Sequence, residues 1–180
     1  MKPFAAAAFA ALSLVSLAPA QAQEARLGHY GGILFSQISY DQSGASSASL
    51  TNFGGVLGTV LSPHFAVEAR AGLGLNDDQI NVGGTTATVD LSSYFSGFVK
   101  GILPLAPRFG IYGLAGFTIG KFAGDTGAVF LNKWASDFSY GAGVEVGLAP
   151  TMSLGVEWLR MFEGSGYNLD AVSVGLNFRF

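Results

Sequence analysis

A chain of 180 residues with no cysteine and a net charge of −3 carries no disulfide framework and no basic surface for nucleic acid. Charged residues make up only 12% of it, half the ~25% of a typical soluble domain, while mean hydropathy is +0.41. Beyond the N-terminal segment there is no run of 18 apolar residues, so the apolar content is not arranged as membrane-spanning helices.

The N-terminal stretch "MKPFAAAAFAALSLVSLAPAQAQ" has one positive charge at Lys2, an apolar run, and then Ala-Gln-Ala. That order predicts a secretory signal peptide over 1–22, cleaved after Ala22, with 23–180 as a single domain. Loss of Lys2, the only charge in the segment, takes the net charge from −3 to −4.

Period-two alternation between turn clusters predicts eight strands. The first, 29–40, is partly apolar on both faces, and neither face is assigned. The second, 51–61, puts Phe53, Leu57 and Leu61 on one face. The third, 65–75, alternates Phe65, Val67, Ala69, Ala71, Leu73 and Leu75 with Glu68 and Arg70. The fourth, 89–103, sets Leu91, Phe95, Val99 and Leu103 against Lys100, with Tyr94, Phe98 and Ile102 on the lysine side. The fifth, 109–121, shows Phe109, Ile111, Ala115, Phe117 and Ile119 on one face. The sixth, 138–148, opposes Phe138, Tyr140, Val144, Val146 and Leu148 to Glu145. The seventh, 152–162, opposes Leu154, Val156 and Trp158 to Glu157. The eighth opposes Val172, Val174, Leu176, Phe178 and Phe180 to Arg179.

Connections alternate in length. Short Pro-containing turns, "SPH", "PLAPR" and "APT", follow the even strands; longer polar loops such as "NDDQINVGGTTAT" and "FAGDTGAVFLNKWAS" follow the odd ones. Spanning strands need ~9–11 residues, and outer-membrane barrels have short periplasmic turns and long outer loops. The expected fold is all-β: an eight-stranded antiparallel up-and-down transmembrane β-barrel, with both termini at the short-turn, periplasmic end.

Alternation alone does not orient the faces, because a lipocalin-like carrier turns its apolar face inward. The polar face decides. It carries three acids and three bases, Glu68, Arg70, Lys100, Glu145, Glu157 and Arg179, among many glycines. Buried carboxylates need charged and hydrogen-bonded partners, and a balanced set supplies them. These six are therefore predicted to line a narrow lumen, with glycines leaving room for long side chains. Outward parity falls on two bases, Lys121 and Arg160, both at strand ends beside long loops, where a cation costs little. Tyr40, Phe95, Phe117, Phe138, Tyr140 and Trp158 would form one aromatic girdle, and Phe65, Phe109, Phe178 and Phe180 the other.

The segments "FAVEARAGLGL", "YFSGFVKGILPLAPRFGIYGLAGFTIG" and "VGLNFRF" together resemble the small outer-membrane β-barrel proteins of Gram-negative bacteria, the OmpA-like and OmpX-like eight-stranded group. The resemblance implies that Val174, Leu176, Phe178 and Phe180 form a terminal signal read by the outer-membrane assembly machinery. Adding an edge strand to a partner sheet is the physical form such reading takes. The resemblance covers the barrel alone, so neither a second domain of the OmpA type nor peptidoglycan binding is expected.

Enzymatic chemistry finds little support. Lipid A-modifying barrels pair a His with Ser or Asp near the outer leaflet, whereas His29 and His64 both map to the short-turn end. No His or Cys spacing suits a metal, and no cofactor is expected. An eight-stranded barrel is filled by its own side chains, so no open pore is expected. The leading expectation is a non-enzymatic, monomeric outer-membrane protein acting in membrane integrity or through its loops, with Lys121, Lys133 and Arg160 as candidate contacts to lipopolysaccharide phosphates. A periplasmic lipocalin-like carrier and a lipid A-modifying enzyme are the alternatives.

Overall fold

A computed structural model of the chain describes residues 28–42, 48–76, 78–82, 85–125, 130–164 and 167–180; the predicted signal peptide lies outside the described residues. The strands are β1 (Gly28–Gln42), β2 (Ala48–Ser62), β3 (Phe65–Gly74), β4 (Asp78–Val82), β5 (Thr85–Ala106), β6 (Phe109–Asp125), β7 (Phe130–Ala149), β8 (Met152–Gly164) and β9 (Tyr167–Arg179). Sheet order runs β3-β2-β1-β9-β8-β7-β6-β5, and β3 pairs β5, which closes eight antiparallel strands into a barrel. Closure leaves no sheet edge in the wall, which suits a backbone surrounded by lipid.

The three two-residue turns are built alike. Each begins with a proline, Pro63, Pro107 or Pro150, and each adjoins a register shift, at Val60/Ser62, Pro104/Ala106 and Gly147/Ala149. Proline cannot extend a ladder, and the bulge re-aims the chain into the turn. The second turn residue then accepts a backbone hydrogen bond from the strand next door: Ile102 N–H to His64 O at 2.7 Å, Gly147 N–H to Arg108 O at 2.7 Å and Arg179 N–H to Thr151 O at 2.8 Å. Phe180 N–H donates to His29 O at 3.1 Å. The short-turn rim is thus tied hairpin to hairpin, and both ends of the described chain lie on it.

At the opposite end the sheet runs past the predicted strand limits. The segment read as the loop "NDDQINVGGTTAT" contains β4, which pairs with the start of β5 from Asp78↔Val89 to Val82↔Thr85. The segment "FAGDTGAVFLNKWAS" is largely hairpin, with β6 and β7 paired to Asp125↔Phe130. β7 and β8 part at Tyr140↔Arg160, so the upper β4–β5–β6–β7 ladder continues beyond that level. Above the lipid a strand no longer has to alternate, and the signal used to find strands fades while the hydrogen bonding goes on.

Faces follow parity wherever the ladder is unbroken. β3 alternates exposed and buried along its length, with Ala66, Glu68, Arg70 and Gly72 inward. Phe53, Leu57, Phe117, Val174 and Phe178 are among the exposed apolar side chains of the outer wall. Two placements differ from the expectation. Leu91 is buried in the lumen, because a register shift between Leu91 and Ser93 turns it over. Tyr40 belongs to the inward set of β1 and stacks on Tyr167 at 6.1 Å instead of joining the outer girdle. β1, left unassigned above, points Tyr30, Leu34, Ser36 and Ile38 inward and Ile33 and Phe35 outward.

Candidate functional site

The lumen is filled in three layers. Nearest the short turns lies a charged layer. Arg70 Nε donates to Glu68 Oε2 at 2.9 Å, and Arg70 Nη2 donates to Glu157 Oε2 at 3.0 Å, with Nη1 also bonded to Glu157. Lys100 Nζ lies 3.2 Å from Glu68 Oε1 and 3.1 Å from Glu145 Oε2. Arg179 Nη2 is 3.7 Å from Glu145 Oε1, at the rim. The six charged residues of the polar face thus occupy one chain of contacts crossing five strands, with cations and carboxylates alternating. Glu68, Arg70, Lys100 and Glu157 are almost wholly buried, whereas Arg179 is partly exposed.

Aromatic groups complete the layer. Tyr30 OH donates to Glu68 at 2.6 Å and Tyr112 OH to Glu157 at 3.0 Å. The Arg70 guanidinium lies 5.0 Å from the Phe98 ring centroid and the Lys100 ammonium 4.0 Å from that of Tyr112, distances within cation–π range. This gives the inward aromatics of β5 and β6 a task beyond filling space. Each tyrosine lies across a glycine on the neighbouring strand: Tyr30 is the cross-strand partner of Gly58 and Tyr112 of Gly143. A Cβ at Gly58 would stand 2.2 Å from the Tyr30 ring, and one at Gly143 2.5 Å from that of Tyr112. Gly58→Ala is accordingly expected to push Tyr30 off Glu68 and to destabilise the folded barrel by about 1–3 kcal/mol, read from urea unfolding followed by tryptophan fluorescence.

Above the charges lies a hydroxyl layer. Ser36 and Ser173 are 2.8 Å apart, and Ser96, Thr118 and Ser139 form a 2.8 Å chain that ends on the Met161 carbonyl. Asn52 is buried beside them, and neither of its side-chain polar atoms has a partner among the described residues. The third layer is apolar: Ile38, Leu50, Leu91, Leu159, Met161, Phe162 and Leu169 are each no more than 4% exposed, with Phe122 packed edge-on to Phe162 at 5.2 Å. Composition of the polar face did not announce this layer. Its members reach the lumen partly through register shifts, at Leu91/Ser93 and Arg160/Phe162.

The candidate lipopolysaccharide contacts fare differently from one another. Lys121 sits on β6 opposite Trp134 and has no ion pair among the described residues. Arg160 is held by Asp170 through Nε at 2.9 Å and Nη2 at 3.0 Å, approaches Glu163 at 3.4 Å and lies over the Trp158 ring. The Lys133 backbone pairs with Phe122, and its side chain lies outside the described residues. On β9, Val174 and Phe178 are exposed on the outer wall and Leu176 is half-buried there; Phe180, just past the strand, is exposed.

A buried charged layer inside an apolar outer wall is the reverse of a soluble carrier. Residues 7–180 match the family profile described as outer membrane protein beta-barrel domain. The chain belongs to this family. Several solved structures share the fold at low identity. Ail of Yersinia pestis aligns with a TM-score of 0.64 at 14% identity, over 86% of this chain and all of that one. Neisserial surface protein A aligns with 0.65 at 11% identity, over 85% and 97%. OprG from Pseudomonas aeruginosa aligns with 0.61 at 10% identity, over 89% and 99%. Ail has also been crystallised in complex with the heparin analogue sucrose octasulfate. No curated protein matches the chain by sequence. The family carries an outer-membrane location with it; identities this low carry the fold alone.

Proposed function

We propose that this barrel is a non-enzymatic, monomeric resident of the outer membrane whose lumen is closed to ions and solutes and whose work is done at its loop end, in membrane integrity or surface contact. The observation that carries the reading is the filling itself. Within the charged layer the free space between Leu34, Arg70, Tyr112 and Glu157 is about 10 Å³, about the least that holds one water molecule. The apolar layer then stacks over it. Reconstituted in a planar bilayer, the protein is expected to give no stable single-channel steps; reproducible conductance on the scale of an open porin would overturn the reading.

At the loop end Lys121 and Trp134 stand side by side, facing lipid, and this pair is where a lipopolysaccharide phosphate is best met. Arg160 is the weaker candidate, since Asp170 already takes both edges of its guanidinium. Absence of an enzyme site is supported by the histidines: His29 bonds Thr59 at 3.0 Å and His64 occupies a short turn, both at the end remote from the outer loops.

We further propose that both termini face the periplasm and that the alternate apolar residues ending in Phe180 are read by the assembly machinery. Deleting Phe180 is then expected to slow insertion in cells several-fold while leaving spontaneous folding in detergent unchanged, as followed by heat-modifiable gel mobility. Equal loss in both settings would assign Phe180 to barrel closure instead.

A further inference from the structure

The short-turn mouth opens into a vestibule of about 410 Å³ whose floor is Lys100, Tyr112 and Glu145. Its charge is uneven. In the lumen as a whole, Glu68, Glu145 and Glu157 are matched by Arg70, Lys100 and Arg179. Arg108, which also lines the vestibule, is surplus to that balance and has no acidic partner among the described residues. The terminal carboxylate belongs to Phe180, which packs toward His29 and is not part of the lining.

Arg108 sits beside Gly147, where an added Cβ would stand 3.6 Å from the Arg108 Cβ. Gly147 pairs with Ser153, and Ser153 with Asn177, two residues before Arg179 on β9. Ser153 is only 6% exposed, lines the same space, and its hydroxyl has no hydrogen-bond partner among the described residues. Arg108, Arg179 and Ser153 therefore line one mouth. Glu145, the one carboxylate of the lining, is already shared between Lys100 and Arg179.

We propose that this mouth binds a phosphoryl oxyanion, held between Arg108 and Arg179 with Ser153 donating a third hydrogen bond. Two planar guanidinium forks and a hydroxyl lining one mouth suit a tetrahedral anion better than a flat carboxylate. The phosphoryl group comes either from a soluble phosphomonoester or from a phospholipid headgroup, since the mouth lies within the ring of Phe65, Phe109 and Phe178. The site itself does not depend on the sidedness proposed above.

Inorganic phosphate and glycerol 3-phosphate, titrated by ³¹P NMR into the barrel folded in octyl glucoside, test it. Saturable binding is expected, weakened roughly tenfold by Arg108→Gln, partly kept by Arg108→Lys and reduced a few-fold by Ser153→Ala, with acetate binding more weakly. Arg108 is exposed and outside the ion-paired layer, so its variants fold. Repeating the titration in a phosphate-free glycolipid bilayer and in a phospholipid bilayer identifies the source. Binding in both marks a soluble anion, and binding lost only in phospholipid marks a headgroup that competes. No saturable binding in octyl glucoside, or equal affinity in Arg108→Gln, overturns the proposal.

Discussion

Arg70→Met is expected to be the most damaging single substitution in the lumen. Among the described residues Arg70 is the only cation that touches both Glu68 and Glu157, and all three side chains are no more than 5% exposed. Removing it leaves Glu157 with Tyr112 alone and Glu68 with Lys100 and Tyr30. An uncompensated buried charge costs about 3–5 kcal/mol, a large part of the total stability of a small domain. The expected result is a large fall in the urea midpoint, or failure to convert to the heat-modifiable folded form. Adding Glu157→Gln to Arg70→Met should recover much of the loss, because an amide can still accept from Tyr112 without bringing a charge. If the double variant is no better than the single, the penalty comes from lost packing over Phe98, where the guanidinium rests, and not from charge.

The layout of these charges was legible because β3, β5, β7, β8 and β9 carry them on stretches of ladder that no register shift interrupts. Glu68 and Arg70, Glu145, Glu157 and Arg179 each sit an even number of residues from their inward neighbours, and parity alone assigns them. Proline marked the short turns for a reason equally local, its missing N–H. What escaped is what parity cannot carry. A register shift of one residue sends Leu91 inward and allows Phe162 to be buried, and nothing in the run of residues around either fixes where the shift falls. β1 was ambiguous because its inward face is apolar as well: Leu34 packs beside the charged layer and Ile38 in the apolar layer, while Ile33 and Phe35 serve the wall. The tyrosine-over-glycine pairs were half visible. Glycine abundance suggested room for large side chains, but only the cross-strand register shows that Gly58 makes room for Tyr30 and Gly143 for Tyr112. Of the vestibule cations, Lys100 and Arg179 were read from parity, but Arg108 was missed because it sits in a turn, where it looked like part of a short connection.

Val174→Arg carries the second largest expected effect, and it separates the two walls of one strand. Val174 is 47% exposed on the outer surface, midway along β9, opposite Val156 on one side and Phe35 on the other. Both neighbours are apolar, so an arginine there finds no carboxylate within the sheet and has only lipid around it. Such a charge costs about 2–4 kcal/mol at mid-bilayer and about 0–1 near the interface. Phe178→Arg, four residues nearer the short-turn rim on the same face, should therefore cost far less, because the side chain reaches headgroups and water. Equilibrium folding into lipid vesicles, titrated with guanidinium, gives both numbers on one scale. In detergent micelles of small size the Val174→Arg penalty should shrink, since a micelle deforms around a charge more readily than a bilayer. Equal penalties at the two positions in vesicles would mean that β9 does not cross the membrane with Val174 near its centre, and the depth assigned to the whole barrel would have to move with it.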